Sequence, residues 1–166
     1  MATQKNYILQ PEVAEKKLRR MALEIIEENT DEPGIILAGI RESGLVVART
    51  IQKMIAEFSP VPVQLISLSL DKKHPGAVTL SETPDLKDKV VIVVDDVSNS
   101  GRTLLYALKP FLEHYPKKIQ TLVLVERTHT YFPVRPDYVG LSIATTIQEN
   151  IVVEVEGEKV MGAYLE

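Results

Sequence analysis

Residues 90–103 read VVIVVDDVSNSGRT. Val90, Val91, Ile92, Val93 and Val94 are all β-branched and show no alternation of polar and apolar positions. They predict a central strand of a parallel sheet that is covered on both faces. The strand is expected to stop at two carboxylates, Asp95 and Asp96, which places them at its carboxyl end, where open α/β sheets bind their ligands. Ser98, Asn99, Ser100 and Gly101 make a small polar turn, and a helix is predicted from Arg102 through LLYALKPFLEHY. Such a turn sets backbone N–H groups and the hydroxyls of Ser98, Ser100 and Thr103 at a helix N-terminus, a ready site for a phosphate. Paired acids beside a phosphate cradle suit a ligand that carries both hydroxyls and phosphate. An Asp-capped strand-to-helix turn and an unrelated dinucleotide-type turn are the other readings. The stretch has neither GxGxxG nor the Walker A lysine.

The order of apolar strand, Asp-Asp, short turn and Ser-Gly-x-Thr resembles the 5-phosphoribosyl-1-pyrophosphate (PRPP) signature of type I phosphoribosyltransferases. The resemblance implies that Asp95 and Asp96 hold the ribose 2′ and 3′ hydroxyls. It also implies that Val97, Ser98, Asn99, Ser100, Gly101, Arg102 and Thr103 bind PRPP, the turn wrapping its 5′-phosphate. Ser100 stands where that family usually has threonine, which keeps the hydroxyl.

Working outward, residues 35–40 read as a second buried strand that runs into GIRESG (39–44). A glycine-bracketed loop with an arginine at a strand's carboxyl end can offer N–H groups and a guanidinium to an anion. GIRESG is similar to the pyrophosphate loop of the same transferases, which makes Arg41 the implied residue there. Residues 11–28 predict an amphipathic helix: Ala14, Leu18, Met21, Ala22 and Ile25 fall at helical spacing, and Pro11 suits a first turn. Residues 45–58 predict a crossover helix and 63–70 a strand. Residues 71–89 are long, polar and contain Pro and Gly, and structureless segments of that length inside a domain are commonly functional. They precede the signature where type I transferases keep a mobile loop, so Lys72 is the implied cation for the leaving group, with Lys73 and His74 nearby. Residues 119–125 predict a further strand with Arg127 and His129 at its end. A proline-bearing connector, a short strand at 139–144, and a hairpin over 151–165 turned at Gly157 complete the chain. Residues 1–10 predict an arm able to pin Tyr7, Ile8 and Leu9 to the core or to a neighbour.

The chain has 166 residues, a net charge of −4 and no cysteine. That length supports one domain, 1–166, with a substantial core. The acidic balance argues against a general nucleic-acid binder, and the missing thiols exclude disulfide, thiolate-metal and cysteine-nucleophile chemistry. The start MATQKNYILQ carries no long apolar run, and no segment reaches the roughly 20 apolar residues of a membrane span. A cytoplasmic protein with no membrane partner is expected.

The resemblance extends over nearly the whole chain to the bifunctional pyrimidine-operon attenuation regulator/uracil phosphoribosyltransferase family. The most discriminating segment is LVLVERTHTYFPVRPDYVG (122–140), in which Arg127, His129, Pro133, Arg135, Asp137, Tyr138, Val139 and Gly140 match that family's pattern. Glu126 stands for its usual Asp, Thr128 for its Gly, Ser98 and Asn99 for its Leu-Tyr, and Lys72 for its loop arginine. The implied fold is α/β and type I phosphoribosyltransferase-like: a mainly parallel central sheet flanked by helices, with a small hood and a C-terminal hairpin. The implied activity is displacement of pyrophosphate from PRPP by a nucleobase, uracil first, with a purine left open by the shared Asp-Tyr-Val-Gly. Asp95, Asp96, Arg41 and Lys72 are the implied catalytic set. Arg127, Asp137, Tyr138 and Val139 are the implied base wall. Mg²⁺ is the implied cofactor, reached by Asp95 or Asp96 through water, and a homodimer the implied assembly. The alternatives are an RNA-binding regulator, with Lys16, Lys17, Arg19, Arg20, His129 and Arg135 as its basic residues, and a PRPP or nucleotide sensor without turnover.

Overall fold

The computed structural model describes residues 4–166, so Met1, Ala2 and Thr3 of the arm lie outside the described residues. In chain order the elements are β1 (Asn6–Leu9), α1 (Pro11–Glu28), β2 (Ile35–Ile40), α2 (Ser43–Phe58), β3 (Val63–Ser69) and β4 (Thr79–Leu80). There follow β5 (Val90–Ser98), α3 (Arg102–Ala107), α4 (Lys109–Leu112), β6 (Lys118–Arg127), β7 (Tyr138–Ile143), β8 (Ile151–Glu156) and β9 (Lys159–Leu165). One six-stranded sheet has the order β4-β3-β2-β5-β6-β7, and a second, three-stranded sheet has the order β1-β9-β8. In the large sheet β3, β2, β5, β6 and β7 are parallel, and the short β4 runs antiparallel to β3. This is the α/β architecture expected, with β1 and the β8–β9 hairpin as the hood.

Alternation along the strands divides the core into two layers, because successive strand residues face opposite sides of a sheet. Leu37, Val90, Ile92, Val94 and Leu122 pack with Leu18, Met21 and Ile25 of α1 and Val47 and Ile51 of α2. Ala38, Ile40, Val91, Val93 and Val123 pack on the other face with Leu104, Ala107 and Phe111. Residues 90–94 are fully buried, as a strand covered on both faces requires, and each such Val or Ile side chain contributes about 1.5–3 kcal/mol. The five apolar positions predicted for α1 are all buried, and Pro11 opens its first turn.

Three expectations change and one is narrowed. The central strand runs past the two acids to Ser98, because β6 continues to pair with it through Val97↔Val125 and Ser98↔Glu126. The helix beyond the turn is broken into α3 and α4 at Leu108: Pro110 has no N–H to give the Tyr106 carbonyl, and its ring crowds the preceding turn. The 71–89 segment is not structureless, since β4 pairs with Leu68 and Ser69 and Leu86 is buried. Finally, the arm lies on its own hairpin, with Asn6↔Leu165 and Tyr7↔Tyr164 paired and Leu9 buried. Of its apolar residues Leu9 is buried and Tyr7 and Ile8 are half-buried, so the arm is pinned to its own core.

Candidate active site

β2 pairs with β5 as far as Gly39↔Val94 and then ends. Just beyond that point, the Asp96 N–H donates to Asp95 Oδ1 at 2.9 Å and the Val97 N–H to Asp96 Oδ1 at 2.8 Å. Backbone groups leaving a sheet need new acceptors, and here the two carboxylates supply them. The same hydrogen bonds fix both side chains where the strands part. Asp95 is 1% exposed and Asp96 half-buried.

Lys72 lies over the pair, its ammonium 3.2 Å from Asp95 Oδ1 and 3.8 Å from Asp96 Oδ1. Burial pushes the Asp95 carboxyl well above the usual range, Asp96 adds to the effect, and Lys72 opposes it. For Lys72, burial acts downward, but the two carboxylates outweigh it and raise its pKa above the ordinary 10.5. Two further contacts hold the loop down: Arg102 Nη2 donates to the Lys72 and Lys73 carbonyls at 3.1 and 3.2 Å. Asp71 Oδ1 accepts the Lys73 and His74 N–H groups and shapes the turn that presents Lys72.

Asp95, Asp96 and Lys72 share one cavity of about 440 Å³ with Ser43 and the whole 97–103 turn. The turn is built around Gly101, whose φ of +87° is a left-handed conformation that favours glycine. A Cβ there would also stand 3.2 Å from the Phe132 carbonyl oxygen. The Ser100 carbonyl accepts the Tyr131 and Phe132 N–H groups, both at 3.0 Å, which ties the turn to the connector after β6. Among the described residues, Ser98 Oγ is buried without a protein partner. A second cavity of about 640 Å³ adjoins through Asn99 and Ser100 and is lined by Arg127, His129, Tyr131, Thr145, Ile147 and Asn150. Pockets of this size are typical of small-molecule sites.

The structure brings together Asp95, Asp96, Lys72 and residues 97–103 as expected, with Arg127 in the adjoining cavity. It does not bring Asp137, Tyr138 and Val139 there. Because β7 is parallel to β6, with Leu122↔Tyr138 and Arg127↔Ile143, those residues lie at the amino end of the strand. That is roughly 16 Å from its carboxyl end at about 3.3 Å per residue. Asp137 Oδ2 accepts the Thr121 N–H at 2.8 Å, stapling β7 to β6. The Tyr138 hydroxyl is buried within 2.9 Å of Glu28 Oε2 and 2.8 Å of Gln120 Oε1. Arg41 is exposed, follows a strand that ends beside β5, and is anchored by its N–H to the Leu68 carbonyl. Ser43, from the same loop, lines the cavity instead.

Sequence reasoning missed Ser43 and the wall formed by Ile151, Val152 and Val153. The hairpin expected over 151–165 carries no signal for which of its faces meets the cleft.

The phosphoribosyl transferase domain family matches residues 5–157. This chain belongs to that family. It is 37% identical over 145 residues to the Bifunctional protein PyrR of Streptococcus pneumoniae (strain CGSP14), covering 84% of both proteins. It also superposes on the hypoxanthine phosphoribosyltransferase of Trypanosoma cruzi with a TM-score of 0.79, at 15% identity and 98% coverage of each chain. With a hypoxanthine-guanine phosphoribosyltransferase of Bacillus anthracis the TM-score is 0.77, at 22% identity and 96% coverage of each. At these identities the two structures report a shared phosphoribosyltransferase fold. Among the described residues, no helix is long and apolar enough to cross a membrane.

Proposed function

We propose that this chain transfers the 5-phosphoribosyl group of PRPP to uracil, giving UMP and pyrophosphate. The observation that carries the reading is the Asp95–Asp96 pair facing the 97–103 turn across one cavity. Acids for the ribose hydroxyls and N–H groups for the 5′-phosphate then stand on one ligand's scale. Uracil is supported by the match of residues 122–140 to the regulator/uracil phosphoribosyltransferase pattern and by the PyrR relative.

In this reading a ring nitrogen of the base attacks C1′ as the bond to pyrophosphate breaks, and the ring N–H proton leaves with the pyrophosphate oxyanion. The protein's work is orientation and electrostatics. Asp95 and Asp96 fix the ribose, the turn fixes the phosphate, and the loop that carries Lys72 shields the cavity from water. Lys72, once released from the acids, faces the departing pyrophosphate; Arg41, exposed outside the cavity in the ligand-free protein, reaches it only by turning inward.

Among the described residues, no group of three or more His, Cys, Asp or Glu gathers to hold a metal. Two hard carboxylates that already hold an ammonium nevertheless suit a Mg²⁺ taking most of its ligands from substrate oxygens and water. When bound, Mg²⁺ would neutralise charge on the pyrophosphate.

A sensor that binds PRPP without turnover is the second reading, favoured by the altered loop cation: Lys72, a point charge paired with the acids, stands where the resembling family carries an arginine. For the RNA-regulator reading, Arg19 is engaged by Glu15 and Glu57 and Arg20 by Glu24 and the Val139 and Gly140 carbonyls, surface contacts weak enough to give way to a phosphate. Pyrophosphate release from Mg²⁺·PRPP with uracil, hypoxanthine, guanine and orotate in parallel is the test, with Asp95→Asn/Asp96→Asn as blank. Release with uracil supports the proposal, release with a purine alone replaces the base, and PRPP binding with no release favours the sensor.

A further inference from the structure

Arg127, the last residue of β6, reaches over the end of the sheet to the connector between β7 and β8. Nη1 donates to the Thr146 carbonyl at 2.9 Å and Nη2 to the Glu149 carbonyl at 2.7 Å. Among the described residues, Nε is buried without a partner. One N–H of each terminal nitrogen is thus held by the connector and Nε is covered, which fixes the guanidinium in place along the wall of the second cavity.

The connector also closes on itself. Glu149 Oε2 accepts both the Thr146 N–H and the Thr146 hydroxyl at 3.0 Å. At its far end the Asn150 N–H donates to the Glu166 carbonyl at 2.8 Å and the Glu166 N–H to the Asn150 carbonyl at 2.9 Å. So braced, the connector delivers Thr145, Ile147 and Asn150 to the second cavity and leads directly into Ile151, Val152 and Val153 of the first.

We propose that Arg127 is a positioning residue that preforms the nucleobase wall through Thr146 and Glu149, and does not itself contact the base. The inference rests on the transferase reading for the identity of the occupant. A planar fork reaches two carbonyls three residues apart, whereas the point charge of a lysine serves one of them. A wall already in place spares the ligand the ordering of seven loop residues, 144–150.

The test compares Arg127→Gln, Arg127→Lys and Glu149→Ala with the unaltered chain, using KM for uracil, KM for PRPP, UMP affinity and amide hydrogen exchange without ligand. Arg127→Gln is expected to raise the uracil KM and UMP Kd about tenfold or more, leave the PRPP KM within about twofold, and speed exchange at 145–152. Glu149→Ala leaves the guanidinium in place and is expected to act in the same direction, with the double variant close to the worse single one. Arg127→Lys should fall between.

An effect of Arg127→Gln on uracil and UMP with none from Glu149→Ala would mean direct contact and overturn the proposal. So would faster exchange at 145–152 with unchanged uracil and UMP binding, or unchanged exchange. Should the unaltered chain release no pyrophosphate with any base, the transferase reading fails, while UMP affinity and exchange still decide on the brace.

Discussion

The Lys72 ammonium stands 3.2 Å from Asp95 Oδ1 and 3.8 Å from Asp96 Oδ1, so the acid pair of the ligand-free protein already holds a cation. Any ribose with its metal must displace that ammonium before it can use the same oxygens. Lys72 is part-exposed, and such a pair contributes about 1 kcal/mol or less. Lys72→Met is therefore expected to bind Mg²⁺·PRPP up to about fivefold more tightly, while pyrophosphate release slows because the loop has lost its cation. Calorimetric titration alongside turnover separates the two effects. Weaker PRPP binding by Lys72→Met would mean that the lysine recruits the ligand and does not compete with it.

Asp95 is costly for the fold that carries it. Burial and Asp96 hold its carboxyl above the usual range even with Lys72 opposite, so above the ordinary carboxylate value of 3.8 the ionised side chain opposes folding. Asp95→Asn keeps an acceptor for the Asp96 N–H and removes the charge. It is expected to raise the melting temperature of the ligand-free protein by about 2–4 °C for each ~1 kcal/mol recovered and to abolish stabilisation by Mg²⁺·PRPP. Thermal unfolding with and without PRPP reads both, and a lower melting temperature would show that the Lys72 pair outweighs burial.

The parts of the fold legible in the sequence are those whose local pattern and tertiary surroundings agree. Val90 to Val94 announce a doubly covered strand because every side chain is apolar and β-branched, and Ala14, Leu18, Met21, Ala22 and Ile25 announce the face that α1 buries. The extension of β5 to Ser98 was not legible, since Asp and Ser disfavour strands and pairing with β6 holds them there. The break at Leu108 was, in principle, since a proline past the first turn interrupts the helix that leads into it. The site divides in the same way. A carboxylate pair and a Ser-Gly turn follow one another within nine residues, 95–103, and are read together. The base wall depends instead on which end of β7 faces the cleft and on a hairpin folding back over it, and both are set by the register of distant strands. Asp137, Tyr138 and Val139 therefore matched a motif yet belong to the scaffold.

Gly44 gives a direct test of how tightly α2 seats the acids. A Cβ there would stand 2.8 Å from the Val94 carbonyl oxygen and 3.0 Å from both Asp95 Cα and Asp95 Oδ1. These neighbours are the backbone of the central strand and a carboxylate fixed by its own hydrogen bond, so little can move aside. Gly44→Ala is expected to cost about 1–3 kcal/mol of stability and to weaken PRPP binding about tenfold by displacing Asp95. Gly76→Ala, where a Cβ meets nothing within 4 Å, is the matched control in the loop. Urea unfolding and PRPP titration of both variants provide the measurement. An intact PRPP affinity in Gly44→Ala would show that Asp95 tolerates the shift.

Tyr138 links the far end of the sheet to α1, and its chemistry predicts a pH dependence separate from the cleft. Burial, and then the Glu28 carboxylate, raise its phenol above the ordinary value of 10.0. The folded chain thus holds the proton more tightly than the unfolded one. The resulting stability is complete below pH 10 and is lost above it, at up to about 1.4 kcal/mol per pH unit until the folded phenol ionises. Glu28 has the opposite sign: Gln120 and Tyr138 hold it below the ordinary 4.5, so its contribution is present above that value and lost as pH falls through the folded one. Tyr138→Phe is expected to lose about 1 kcal/mol at neutral pH, to flatten the decline between pH 10 and 11, and to leave PRPP and UMP affinity unchanged. Melting temperatures from pH 7 to 11, with ligand titrations at neutral pH, check all three. A loss of UMP affinity in this variant would return Tyr138 to the base site from which the parallel register of β6 and β7 removes it.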